Sequence, residues 1–142
     1  MKWSRRMTVQ TGLLCLFAFC GGVSQAETTT WSQVAGEIDT HISQAESLYR
    51  EDKPTEAGRA VIQAYFGVFE DKKMEAAMRM ELGAKHTYQV EQQFGALRKA
   101  IRTQADMPVV QELAQGIRES VTRDAIALDQ AGIPMEVFKV KQ

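Results

Sequence analysis

The sequence is poor in the residues that build cross-linked, collagen-like or nucleic-acid-binding proteins. Its 142 residues include 2 cysteines, 3 prolines and 10 glycines, so collagen-like and linker-rich classes are excluded. The formal net charge of -1 lacks the basic excess that is typical of nucleic-acid-binding proteins, and we expect no nucleic-acid partner. No apolar run reaches the roughly 18–20 residues that a membrane-spanning helix requires.

The residues that are present fit an ordinary globular protein. Hydrophobic residues make up 44% of the chain and charged residues 25%, which separates it from disordered sequences. The length corresponds to one domain. Composition therefore predicts a small soluble domain and indicates no function.

The first residues have the three parts of a secretory signal peptide. Lys2, Arg5 and Arg6 form a basic region, an apolar block follows within residues 11–22, and small residues precede Glu27. We expect residues 1–26 to be a cleaved signal peptide and residues 27–142 to form a single helical domain in the periplasm. General secretion and twin-arginine export both stay open as routes.

Cleavage after residue 26 would change the chemistry of the chain. It removes both cysteines, three basic residues and no acidic ones, so the formal net charge falls from -1 to -4. A chain without cysteine has no disulfide, no thiolate nucleophile and no thiolate metal ligand. Its stability depends on a hydrophobic core, and a chain of this size buries roughly two-thirds of its unfolded surface.

Apolar residues recur with the 3.6-residue period of an amphipathic helix along the remaining chain. The pattern predicts four helices, with the third interrupted near Gly83, over about residues 31–50, 54–69, 74–102 and 108–128. Short connections between long helices favour an all-α, up-and-down four-helix bundle. Residues 135–142 are too few to add a packed element. The inward-facing positions predict a core containing Trp31, Ile38, Ile42, Val61, Tyr65, Phe94, Leu97, Leu113, Ile117 and Val121.

Many charged side chains fit ion pairs on solvated helix faces. An acidic residue precedes a basic residue by four positions in the pairs Glu46–Arg50, Glu75–Arg79, Glu81–Lys85 and Glu119–Arg123. Other carboxylates lack such a partner downstream and are therefore the better candidates for a site, notably Glu37, Glu70, Glu91 and Glu112.

Several cofactor and enzyme classes lack their motifs here. No Cys-x-x-Cys-His sequence is present, so covalent haem attachment is excluded, and the two histidines are badly placed for a b-type haem. The His-Glu-x-x-His, Gly-x-Ser-x-Gly and glycine-rich phosphate-binding motifs are also absent. We therefore expect no haem and no enzymatic activity.

Two histidines and three methionines leave metal binding open. Glu37 and His41 lie four residues apart on the first predicted helix, where both side chains can face one ion. His86 follows the predicted bend at Gly83, although either histidine also fits a purely structural place. The methionines at positions 74, 78 and 80 fit a Cu(I) site or ordinary core packing.

Two segments in the middle of the chain carry a family resemblance. They are Ala64-Tyr65-Phe66-Gly67-Val68-Phe69-Glu70, followed by Met74-Glu75-Ala76-Ala77, and Val90-Glu91-Gln92-Gln93-Phe94-Gly95-Ala96-Leu97-Arg98. The pattern, over about residues 57–102, resembles the exported helical domain that precedes the membrane segment in bacterial high-affinity iron permeases of the oxidase-dependent type. The resemblance implies a free-standing periplasmic module that handles iron beside a membrane permease.

The chain also departs from those permeases. Their membrane helices bear Arg-Glu-x-x-Glu motifs. Here the second glutamate of the motif is replaced by Thr122 after Arg118-Glu119, and by Pro54 after Arg50-Glu51. The transport motif is absent, so we expect an accessory protein whose partners are a membrane iron permease and other periplasmic iron-uptake components. The alternative is a metal-independent periplasmic interaction or chaperone-like protein.

Iron is the metal that the candidate ligands favour. Carboxylate and imidazole side chains suit iron, whereas Cu(I) prefers thioethers. The predicted metal ligands are Glu37, His41, Glu70 and His86. Glu70 is the strongest of them because it ends the element that carries the resemblance, where it is expected to approach Gly83 and His86.

Overall fold

The computed structural model describes residues 29–138, and within them the protein is an all-α helical bundle. The helices are α1 (Trp31–Arg50), α2 (Pro54–Ile62), α3 (Met74–Glu81), α4 (Ala84–Arg102) and α5 (Met107–Gln130). The predicted all-α, helical-bundle class is confirmed, and the up-and-down order of four helices stays a prediction. The predicted signal peptide lies outside the described residues. No helix in the described range is long and apolar enough to cross a membrane.

The predicted first helix is α1, and its start is fixed by a capping box. The Thr30 hydroxyl accepts a hydrogen bond from the Gln33 backbone N–H, and the Gln33 side chain accepts one from the Thr30 N–H. These two bonds satisfy backbone donors that a helix start leaves free. Thr30, one of the two N-cap residues predicted, is therefore the one used.

The predicted second helix is α2 together with a π-helical continuation. Pro54 is its first residue, where the missing N–H removes no helical hydrogen bond. From Gln63 to Glu70 the backbone adopts π-helical geometry, and we name this stretch the π segment. Most π-helices are single turns within α-helices, frequently at functional sites. The π segment contains the first of the stretches on which the family resemblance rests, residues 64–70.

The predicted interruption of the third helix is confirmed. The Gly83 N–H donates to the Met78 carbonyl, which closes α3, and Gly83 then takes a φ of 91° before α4 begins at Ala84. A side chain disfavours that backbone conformation, so glycine is suited to this position.

The end of α5 is closed as its sequence predicts, but the segment after it differs from expectation. The Ile133 N–H donates to the Leu128 carbonyl and the Gly132 N–H to the Asp129 carbonyl, which is the Schellman arrangement. The expectation that residues 135–142 add no packed element is wrong, because Met135–Phe138 forms a 3₁₀ turn and Met135 packs against the core.

One hydrophobic core joins all five helices. Helix α1 packs on α2, the π segment and α5, while α4 packs on α2, α3 and α5. Eight of the ten predicted core side chains are buried, and the other two, Tyr65 and Leu113, are half-buried against the same core. The predicted core is therefore confirmed, with these two side chains at its edge.

Polar contacts also tie α1 to α5. The Asp129 carboxylate accepts hydrogen bonds from the Trp31 and Ser32 backbone N–H groups at 2.9 and 3.0 Å. Arg118 donates to Glu46 and, at 2.5 Å, to Asp39. The predicted Glu46–Arg50 pair is therefore wrong, because the half-buried Arg118 draws the Glu46 side chain across to α5.

Of the other three predicted ion pairs, one is formed and two are not. Arg79 donates to Glu75 at 2.5 Å, which confirms that pair. The Glu119 carboxylate accepts from the Gln115 amide and Arg123 turns to Asp124, so residues 29–138 contain no Glu119–Arg123 pair. They contain no Glu81–Lys85 pair either, since Gly83 divides the helix between the two residues.

Candidate functional site

The four predicted metal ligands lie on three different parts of the bundle. Glu37 is exposed on α1 and pairs with Lys72 at 3.5 Å. His41, four residues further along α1, is half-buried beside Gln63 in a cavity of about 420 Å³. Its Nδ1 atom is buried without a hydrogen-bond partner.

His86 on α4 faces α5. Its Nε2 atom lies 2.8 Å from Oδ2 of Asp124, and Asp124 is only 2% exposed. The other oxygen of Asp124 lies 3.3 Å from Arg123. A buried carboxylate requires partners of this kind because desolvation disfavours its charge. His86 is thereby engaged in linking α4 to α5, rather than in the approach to Glu70 that the sequence predicts.

Glu70, the strongest candidate, ends the π segment. Tyr65 lies in the same segment, close enough for the Glu70 carboxylate to raise the pKa of the Tyr65 hydroxyl. Tyr65 packs against Phe69 and Phe94, with ring centroids 5.8 and 5.4 Å away. The π segment therefore sets both an aromatic ring on the core and a half-buried carboxylate at its edge.

Two further carboxylates flank Tyr65. Glu75 on α3 and Glu91 on α4 are joined by Arg79, which donates to Glu75 at 2.5 Å and to Glu91 at 3.0 Å. Both carboxylates are largely shielded, with side-chain exposures of 24% and 19%. We refer to Tyr65, Glu70, Glu75, Arg79 and Glu91 as the acidic cluster.

The electrostatics of the acidic cluster are strongly negative. Burial raises the pKa of Tyr65 well above its usual value, and the neighbouring Glu70 carboxylate raises it further. Burial also raises the pKa of Glu91, as does repulsion from Glu75, while Arg79 opposes this increase. Three carboxylates against one guanidinium leave an excess of negative charge, which attracts cations.

The described residues hold no complete metal-binding group. Nowhere in residues 29–138 do three or more histidine, cysteine, aspartate or glutamate side chains form an arrangement able to hold an ion. Glu37, His41, Glu70 and His86 are therefore not gathered in one group of that kind. Iron binding by these side chains stays a prediction.

The methionines divide between core and surface. Met74 and Met78 are fully buried on α3 and belong to the hydrophobic core. Met80 is exposed on the same helix. Burial of the first two fits core packing, the second of the two interpretations that the sequence allows.

Sequence reasoning missed part of the acidic cluster. Glu91 stands out in the sequence because it lacks a partner four residues downstream. Glu75 and Arg79 fit a solvated surface pair, and nothing local indicates that Arg79 also reaches α4. Tyr65 fits the core by its spacing alone. Glu75, the second residue of α3, can be assigned to the acidic cluster only when the packing of α3 against α4 is known.

Comparison with known proteins found no relative. No family model, no curated protein and no solved structure matches this chain.

Proposed function

We propose that this chain is a periplasmic accessory protein of an iron-uptake system and that the acidic cluster is its iron-contacting surface. The observation that carries the proposal is the half-buried excess of carboxylates near Tyr65, to which the π segment contributes Tyr65 and Glu70, α3 Glu75 and α4 Glu91. Carboxylate oxygens are suitable ligands for iron, and the local negative charge raises the concentration of cations.

Such a surface suits a protein that passes iron on rather than storing it. Storage requires a closed set of ligands, and residues 29–138 contain no three histidine, cysteine, aspartate or glutamate side chains arranged to hold an ion. If iron is bound only by Glu70 and one further carboxylate, water occupies most of its coordination positions. The protein then releases the ion readily. A membrane iron permease is the partner that would receive it.

Calorimetric titration tests the iron contact. Wild-type protein and Glu70→Gln are titrated with ferrous ion without oxygen, with ferric nitrilotriacetate and with cuprous ion. We expect iron binding that weakens about tenfold in Glu70→Gln, because the variant keeps the side-chain shape and loses the charge. Glu112→Gln removes an exposed carboxylate of α5 outside the acidic cluster and serves as the matched control.

Two results would count against the proposal. Iron binding that is equal in wild type and Glu70→Gln would remove the acidic cluster from the site. His86→Ala and His41→Ala would then show whether the histidine ligands predicted from the sequence contribute instead. An absence of iron binding in the wild type would reject the iron contact altogether.

A metal-independent interaction protein is the second candidate, and exposed apolar side chains favour it. Phe66 is 51% exposed and Ile62, four residues before it, is 39% exposed. Exposed apolar side chains in this spacing are typical of a helix face that binds a partner. Co-purification with a membrane permease, lost in Phe66→Ser but unaffected by Glu70→Gln, would favour this function over iron contact.

A further inference from the structure

A groove between α2 and α4 concentrates positive charge on a protein that is acidic overall. Its volume is about 490 Å³, and its lining includes the four cationic side chains Arg59, Arg98, Lys99 and Arg102. No acidic side chain lines it. We refer to it as the cationic groove.

The four cationic side chains are exposed. None of them forms an ion pair with another residue in the described range 29–138. Arg98 and Arg102 lie four residues apart on α4, a spacing at which like charges repel. An unneutralised set of cations facing one cavity attracts anions.

Helix ends explain only part of this arrangement. Lys99 and Arg102 lie in the last turn of α4, where positive charge complements the helix dipole. Arg98 lies before that turn. Arg59 lies near the end of α2, but the helical backbone continues there into the π segment. The helix dipole therefore does not account for the positive charge at Arg59 and Arg98. These two residues line the groove from α2 and α4.

Two isoleucines and two glycines also line the groove. Ile101 is buried and Ile62 partly exposed, and both line it. Gly58 on α2 and Gly95 on α4 also line it, and a Cβ atom added at either would meet nothing within 4 Å. Glycine at these two positions leaves that part of the groove wall without a side chain, although glycine is less favourable than alanine within a helix.

We propose that the cationic groove binds a small organic anion that carries two or more carboxylate or phosphate groups. The volume lies within the range of small-molecule sites. Guanidinium groups pair with carboxylate and phosphate oxygens through two parallel hydrogen bonds, and the partly exposed Ile62 side chain offers an apolar contact to a short carbon skeleton. This proposal does not depend on iron binding by the acidic cluster.

The test is a titration of the purified protein, free of iron, with citrate and separately with pyrophosphate. We expect saturable binding of one anion per chain. In Arg59→Gln/Arg98→Gln the dissociation constant should rise about tenfold or more, because two charge-assisted contacts are lost. Citrate binding alone would assign the ligand to carboxylates, and pyrophosphate binding alone would assign it to phosphates.

Two matched controls separate a groove site from general attraction by charge. Arg50→Gln/Lys85→Gln removes the same charge at exposed positions outside the groove and should leave binding unchanged. Gly95→Leu keeps all four cations and fills the groove, so it should abolish binding. Gly36→Leu places the same side chain in open space on α1 and should leave binding intact. Circular dichroism confirms that each variant is folded.

Three results would overturn the proposal. The first is an absence of saturable binding of either anion. The second is equal binding by wild type and folded Gly95→Leu, which would reduce the effect to surface charge. The third is binding of an octaglutamate peptide without binding of citrate or pyrophosphate, which would make the groove an interface for an acidic protein segment instead.

Discussion

Phe94 lies at the centre of a small aromatic group that couples α4 to the π segment. Its ring centroid is 5.5 Å from that of Phe69 and 5.4 Å from that of Tyr65, and the side chain is 2% exposed. Phe94→Ala should lower the free energy of unfolding by about 3–5 kcal/mol, because it removes buried apolar surface and leaves a cavity. Urea unfolding followed by circular dichroism measures the change.

The same substitution at Phe66 is the control for Phe94. Phe66 belongs to the π segment but is half exposed, so Phe66→Ala should change the free energy of unfolding by only about 0.5 kcal/mol. A loss below about 1 kcal/mol in Phe94→Ala would contradict its place in the core and would point to a surface role.

Glu91 makes stability depend on pH in a defined direction. Burial and Glu75 raise its pKa above the ordinary 4.5, against the opposing effect of Arg79. A carboxyl group whose pKa is higher in the folded state favours folding when protonated. Its stabilising contribution is therefore complete below the unfolded pKa and is lost as the pH rises through the folded pKa.

Glu91→Gln isolates this contribution because glutamine does not titrate. The free energy of unfolding of the wild type, minus that of Glu91→Gln, should decrease as the pH rises from about 3.5 to about 7. Urea unfolding at several pH values measures this difference, with Glu112→Gln as a control outside the acidic cluster. A difference that increases with pH would show that Arg79 dominates the environment of Glu91 and would reverse the assignment.

Among the elements, the π segment shows why helical periodicity alone does not give local geometry. Apolar spacing predicts a helix across residues 54–69, and a helix is present there. The change from α to π geometry widens the turn, and the segment packs against α1, which is distant in the sequence, and against α3, which follows it. Tyr65 and Glu70 are five residues apart, the spacing that π-helical backbone hydrogen bonds join, and the carboxylate is close enough to raise the pKa of Tyr65.

Gly83 separates α3 from α4 through its backbone rather than through lack of space. Its φ of 91° disfavours any residue with a side chain, although a Cβ atom there would meet nothing within 4 Å. Gly83→Ala should therefore lower the free energy of unfolding by about 1–3 kcal/mol. Gly36→Ala, in an exposed and regular part of α1, should instead raise it by about 0.5–1 kcal/mol.

The test is that the two alanine substitutions change the free energy of unfolding in opposite directions. Chemical denaturation of both variants beside the wild type measures them under one set of conditions. An increase in stability for Gly83→Ala would mean that the junction of α3 and α4 relaxes freely, and the two helices would then behave as one.

For the whole molecule, the sequence predicts the fold well and the site poorly, for a physical reason. Apolar periodicity, Pro54 and Gly83 are local features, and they suffice to predict the helices and most of the core. Contacts between helices, such as Arg118 with Glu46 or His86 with Asp124, depend on how the helices pack. Each contact joins residues that are distant in the sequence, so local spacing does not predict it.

The core predicts how the molecule unfolds. Buried side chains from all five helices form one continuous cluster, so no helix can separate without exposing the surface of another. Trp31 reports on one end of this cluster. Its ring is 1% exposed, and its Nε1 donates a 2.7 Å hydrogen bond to the Ile133 carbonyl after α5. Loss of the Trp31 environment should therefore accompany loss of the helices.

Urea unfolding tests this coupling with Trp31 as the only tryptophan, either in the chain cleaved after residue 26 or in a Trp3→Phe variant of the uncleaved chain. Transitions followed by tryptophan fluorescence and by circular dichroism at about 222 nm should coincide, as for a cooperative domain of this size. Asp129→Ala removes the carboxylate that binds the start of α1, at a cost of about 1–2 kcal/mol. Both transitions should shift together to lower urea in that variant. A fluorescence transition that precedes the loss of helix would show instead that the junction of α1 and α5 opens independently of the rest of the core.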